Sequence, residues 1–137
     1  MFMVTHTLRR RRHRGAAAVE FALVVPLLVM ILFGIMEFGY AFFIQSSVAG
    51  AARVGVRSYA INWTKPSAQT DATTIVKSAV PDPLAVLSVA YPSPCTTPGT
   101  QTTVVITYQY HSLTGLLDAL LGPNIKVTGK GSMACGG

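Results

Sequence analysis

RRRRHRGAAAVEFALVVPLLVMILFGIMEFGYAFFIQSSVAGAARVGVRSY, residues 9–59, decides how this chain is built. Arg9, Arg10, Arg11, Arg12 and Arg14, with His13 among them, form a charge block that cannot enter hydrocarbon, and the block stops at Gly15. Residues 21–36 carry no charge, and Pro26 and Gly34 are the only ones there that do not favour a helix. Glu37 interrupts the apolar run, and residues 38–44 resume it. A helix rises ~1.5 Å per residue and a bilayer core is ~30 Å thick, so about 20 apolar residues suffice to cross. Residues 21–44 are long enough, and they are read as a transmembrane span. The basic block precedes the span, whereas the nearest cations after it are Arg53 and Arg57. The positive-inside rule therefore keeps the N-terminus cytoplasmic and exports the C-terminal part.

Two simpler readings compete for this stretch. A cleaved secretory signal has a basic start, a short apolar region and a small-residue cleavage site, for which Ser47-Val48-Ala49 would serve. The apolar region is too long for it and contains Glu37. An uncleaved anchor explains length and orientation, but it gives no reason for Gly15 or Glu20.

A carboxylate in the first turn of a membrane helix is costly and calls for a partner. If a peptidase cuts after Gly15, Ala16 becomes the first residue and Glu20 the fifth. The new amine then lies one helical turn from the carboxylate, at the positive helix terminus. At this point the sequence resembles the type IV pilin and pseudopilin class, whose short basic leader ends in Gly and precedes a hydrophobic helix with Glu at its fifth position. The closer resemblance is to the TadE-like family of tight-adherence (Flp) pilus systems. It is carried by Gly15-Ala16-Ala17-Ala18-Val19-Glu20-Phe21-Ala22-Leu23, by Pro26 and Glu37, and by the block from Ala51-Ala52-Arg53 through Arg57-Ser58-Tyr59-Ala60. Ala16 departs from many type IV pilins, which have Phe or Met there, and is closer to Flp-type substrates. The resemblance implies a minor pseudopilin of a bacterial inner membrane, cut between Gly15 and Ala16 by a prepilin peptidase. It also implies that Glu20 answers the Ala16 amine of an adjacent pilin-like subunit. Glu37, Arg53 and Arg57 are candidate assembly residues, and the partners are the membrane, other pilin-like subunits and the pilus assembly machinery.

Charge removes a nucleic-acid reading. The net charge is +6, but five of the 11 Lys and Arg precede Gly15, leaving six cations against five acids in residues 16–137. That balance offers no basic face long enough to track phosphates. His6 and His13 have no Cys or carboxylate at ligand spacing, so no metal site is expected. Catalytic motifs are missing as well: there is no Gly-x-Ser-x-Gly elbow, no His-Glu-x-x-His, no phosphate-binding loop and no dinucleotide fingerprint. His111, Asp71, Asp82 and Asp118 each stand alone in their segments. Neither an enzyme nor a cofactor or small-molecule substrate is expected.

The apolar helix continues beyond the span. Residues 46–59 contain no Pro and are rich in Ala, with Ser47, Ala51 and Gly55 at successive i, i+4 positions and Ser46 and Gly50 likewise. Such a ridge admits a close helix, either from a neighbouring chain or from the same domain. Arg53 and Arg57 form one basic edge, either solvated or meeting lipid phosphate or Glu37 of a neighbour. Pro66 breaks the helix, and Ser67 is placed to cap a second one over residues 68–80, with Ala68, Ala72, Ile75, Val76 and Ala79 inward. Residues 84–91, 103–111 and 125–133 read as strands. In the second, Val104, Ile106, Tyr108 and Tyr110 share a face; in the third, Ile125, Val127, Gly129, Gly131 and Met133 do. Leu113, Leu116, Leu117, Leu120 and Leu121 make a short apolar stripe, read first as core filling and second as a docking or membrane-touching surface.

The expected fold is therefore α+β: a basic leader over residues 1–15, a long hydrophobic helix over 16–60, and an exported domain over 61–137 with a short helix and a three-stranded antiparallel sheet. Cys95 and Cys135 both fall in that domain. Pairing them closes a loop of about 40 residues, worth roughly 4 kcal/mol in the chain-entropy model. Two free thiols or an intermolecular bond are the alternatives. The competing functional class is a surface binding module on an ordinary anchor.

Overall fold

The computed structural model describes residues 10–136; residues 1–9 of the expected leader lie outside it, and so do the side chains of residues 10–14 and of Leu116. The elements are α1 (Arg10–Asn62), α2 (Ala68–Ala79), a 3-10 turn (Pro83–Ala85), β1 (Val86–Ser93), β2 (Gln101–Gln109), α3 (Leu116–Leu121) and β3 (Lys126–Ala134). The chain divides into two compact units at Met36 and Glu37. The architecture is a long apolar N-terminal helix and a small α+β domain with one antiparallel sheet, ordered β1-β2-β3.

Among the described residues the first unit is helix throughout. From Gly15 to Met36 every residue is exposed except Val25 and Gly34, which are half-buried. Pro26 is accommodated inside the helix. Exposed residues include Phe21, Leu23, Leu27, Met30 and Ile35, so this stretch has the length and composition of a helix that crosses a membrane. Among the described residues α1 already includes Arg10 and the rest of the basic block before Gly15.

The second unit begins at Glu37. From here α1 has a buried face: Glu37, Ile44, Val48, Ala51, Ala52, Val56, Tyr59 and Ala60 recur every three to four residues, the spacing of one helix side. That face lies on the inner face of the sheet, where Val104, Ile106, Tyr108 and Tyr110 are buried as their alternation predicts. Contact between helix and sheet is close because β3 presents glycine. A Cβ on Gly129 would lie 2.5 Å from the Val48 carbonyl oxygen, and one on Gly131 would lie 2.6 Å from that of Ala52. Gly55 receives Val76 of α2, so the Ala51–Gly55 part of the small-residue ridge packs within the domain. Gly50 of the second ridge has open space around it.

Residues 37–44, expected within the span, fall in the compact unit that begins at Glu37, and Glu37 and Ile44 are each 1% exposed there. Several other expectations need correction. Ser67 does not cap α2, since its hydroxyl donates to Asp71 Oδ2 at 2.8 Å. α2 turns Ala79 to solvent and the chain buries Val80 instead. The first strand starts at Val86, not Leu84, because Asp82 Oδ1 accepts the Leu84 N–H at 2.9 Å and turns residues 83–85 into a 3-10 helix. It then runs past Pro92, which an edge strand tolerates because no neighbour needs that missing donor. β2 and β3 pair in continuous register from Gln101↔Ala134 to Gln109↔Lys126. Cys95 and Cys135 form a disulfide within the chain, Cα–Cα 5.8 Å, beside the backbone bonds from Gly99 N to Cys135 O and from Cys135 N to Thr100 O.

Candidate assembly site

Gly15, Ala16 and Glu20 are exposed on the first unit, and Arg53 and Arg57 are exposed on the second, one turn apart on α1. Among the described residues, and apart from the neighbouring residues and backbone of its own helix, nothing lies within 4 Å of a Cβ built on Gly15. Packing among the described residues thus gives no reason for a residue that costs a helix about 1 kcal/mol relative to Ala.

Glu37 stands apart from these. The expectation that it meets an arginine of a neighbouring chain does not fit its surroundings, because its carboxylate is filled from within. Tyr110 donates its hydroxyl to Oε1 at 2.8 Å and the Leu113 N–H follows at 3.2 Å. On the other oxygen, Oε2, the Thr114 N–H lies at 3.0 Å and the Thr114 hydroxyl at 2.7 Å. Gly115, in the left-handed region at φ +77°, closes the turn, and its N–H bonds Ser112 Oγ at 2.9 Å. Tyr40, one turn on from Glu37, packs on the Tyr110 ring with centroids 5.9 Å apart. Burial is the largest single influence on the Glu37 carboxyl and opposes its ionisation. The hydrogen bonds from Ser112, Thr114 and Tyr110 together outweigh it and hold the group down at about 2. The Tyr110 phenol moves the other way, pushed up by burial and by its bond to the carboxylate.

This arrangement can do no acid-base chemistry on a substrate at neutral pH, since every lone-pair direction is taken by a fixed donor. Its effect is mechanical: it ties the start of the domain's helix to the segment after β2. Sequence reasoning missed that role. A signal was present, because Glu37 falls on the same helix face as Ile44, Val48 and Ala51, and Tyr110 falls on the inward face of β2.

Elsewhere in the domain, α2 and β1 enclose an open groove of about 430 Å³ lined by Gln69, Thr73, Lys77 and Tyr91, among others. Two of its hydroxyls pair with each other: Tyr91 donates to Gln69 O at 3.0 Å and shares a hydrogen bond with Thr73 Oγ1. Burial raises the Tyr91 phenol. Among the described residues no group of three or more His, Cys, Asp and Glu comes together.

No curated protein and no solved structure matches the chain. The family model described as TadE-like protein matches residues 15–57. The match begins at Gly15, contains Ala16, Glu20, Glu37, Arg53 and Arg57, and ends five residues before α1 does. It is the α1 segment from Gly15 to Arg57, exposed Glu20 and buried Glu37 included, that carries the likeness of this chain to the TadE-like proteins.

Proposed function

We propose that the chain is a membrane-anchored minor pseudopilin of a tight-adherence (Flp) pilus or related secretion system, acting at the bacterial inner membrane by helix packing. The observation that carries this reading is the TadE-like match over residues 15–57, which starts at the glycine and includes the glutamate five residues beyond it. Residues 16–36 span the bilayer in this reading, about 30 Å of helix at ~1.5 Å per residue. The arginine leader stays in the cytoplasm, and the α+β domain, with its disulfide, is outside. A prepilin peptidase cuts between Gly15 and Ala16. Glu20, exposed on its own chain, then meets the Ala16 amine of a neighbouring pilin-like subunit. Arg53 and Arg57 provide a cationic edge outside the membrane for lipid phosphate or assembly partners.

The test combines processing and assembly. N-terminal mass spectrometry of membrane protein is expected to find Ala16 first; a start at Gly50 would establish a signal peptide. With membrane levels held equal, Glu20→Gln is then compared with the parent for cross-linking to pilin-like partners and for surface pili. Leaving a buried amine unpaired costs ~3 to 5 kcal/mol, so association is expected to weaken by two to three orders of magnitude. Equal cross-linking and piliation would return the helix to a plain anchor carrying a binding module.

A further inference from the structure

Exposed leucines gather at one end of the domain. β1 starts, β2 ends and β3 starts at the same end of the sheet, as Val86↔Tyr108 and Gln109↔Lys126 fix it. The segments attached there expose Leu84, Leu113, Leu120 and Leu121 at 93, 58, 72 and 70%. Of the stripe expected to fill the core, Leu117 alone among the described side chains packs against it. The opposite end of the sheet carries the loop over residues 94–100, which is Pro, Cys, Thr and Gly throughout. Single exposed leucines are ordinary on a protein surface, but four at one pole with none in the facing loop are an apolar patch.

Glu37 fixes where that patch is. It is the residue after Met36, and its carboxylate holds the backbone N–H groups of Leu113 and Thr114. The leucine end is thus fastened to the helix at the position where the proposed span ends. Phe38 and Phe42, both exposed, carry the apolar surface of α1 one to two turns past Met36. Polar headgroups extend several ångströms beyond the hydrocarbon, and amphipathic segments lie in that layer with their apolar side buried by roughly 5–10 Å.

We infer that the domain is seated on the outer face of the membrane, with Leu113, Leu120 and Leu121 of the α3 segment and Leu84 of the neighbouring turn inserted at the boundary between headgroups and acyl chains. This inference rests on the proposed span over residues 16–36. It makes the domain a lipid-bound platform instead of a body swinging freely on a single helix. The pole bearing the disulfide is then presented away from the bilayer.

The experiment uses the full chain in vesicles of phosphatidylethanolamine and phosphatidylglycerol, with and without acyl-chain bromination. Trp63→Phe removes the only native tryptophan, and single tryptophans are introduced as Leu120→Trp, Leu84→Trp and, within the span, Phe33→Trp. Leu120 and Leu84 are solvent-exposed, so neither change disturbs the core. All three reporters are expected to emit to the blue of free tryptophan and to lose intensity in brominated vesicles, whereas Trp63 of the parent keeps its intensity. Quenching at position 33 but not at 120 and 84, with red-shifted emission there, overturns the inference and leaves the span intact. Blue-shifted emission at 120 and 84 without quenching means that a second copy of the chain covers the patch, and it overturns the lipid assignment. No quenching at any position removes the span and the inference together.

Discussion

Glu37 shows how far a carboxylate's meaning depends on residues distant in sequence. Within the apolar run it reads as an interruption, and as a candidate for pairing between chains. Its donors come from residues 110–114, more than 70 positions later. Alternation along β2 puts Tyr110 on the inner face, but nothing in the sequence around Glu37 shows that the turn over residues 112–115 closes on it. The carboxyl titrates at about 2 in the folded chain, against an ordinary 4.5. A lowered folded value contributes stability that is complete above the unfolded value and lost as pH falls through the folded one. Thermal stability is therefore expected to decline between about pH 4.5 and pH 2, by roughly 3 kcal/mol at 1.36 kcal/mol per unit. Circular-dichroism melts of the parent and of Glu37→Gln in detergent check this. The variant is expected to melt lower at pH 7 and to lack the acid-dependent part of the decline, whereas equal pH slopes would contradict the clasp.

The elements were largely legible from periodicity. The two-residue alternation of residues 103–111 locates β2, and the small inward residues Ala68, Ala72 and Val76 locate α2. The start of the compact domain at Glu37 was not legible, because a helix that enters a protein core stays apolar on one side, as a membrane helix does. Residues 38–44 meet that requirement in either setting. The leucine stripe was ambiguous for the same reason, since apolar spacing does not say what covers it. The glycines of β3 were read only as inward positions, although they admit the helix backbone. Gly129→Ala places a methyl group against the Val48 carbonyl, a backbone atom that cannot rotate away, and overpacking of this kind costs about 1–3 kcal/mol. The melting temperature is expected to fall by roughly 4–8 °C for each kcal/mol in a domain of this size. Gly50→Ala, with open space at its Cβ, is expected to be neutral or to gain up to about 1 kcal/mol from helix propensity. A drop at position 50 matching that at 129 would show that the close approach at β3 is not what sets the cost.

At the scale of the molecule, a domain built from α2, three strands and the second half of α1 has a core made mostly of valines, alanines and tyrosines. So small a core benefits from a crosslink. The Cys95–Cys135 bond spans 40 positions and joins the β1–β2 loop to the end of β3. Reduction is expected to lower the melting temperature on the order of 20 °C, from about 4 kcal/mol of chain-entropy stabilisation. Thiol labelling of protein taken from its native compartment without reductant is expected to find neither cysteine; labelling of both would contradict the bond.

α1 and β3 run side by side in the same direction. Val48 faces Gly129, Ala52 faces Gly131, and Ala60 O accepts the Gly136 N–H at 2.9 Å. The chain enters this seam at Glu37 and leaves it at the far pole, so tension applied at those two points pulls the two elements past each other lengthwise. Shear of this kind loads every contact of the seam at once, whereas peeling would break them one by one. Loaded in this way, the domain would yield abruptly and at high force.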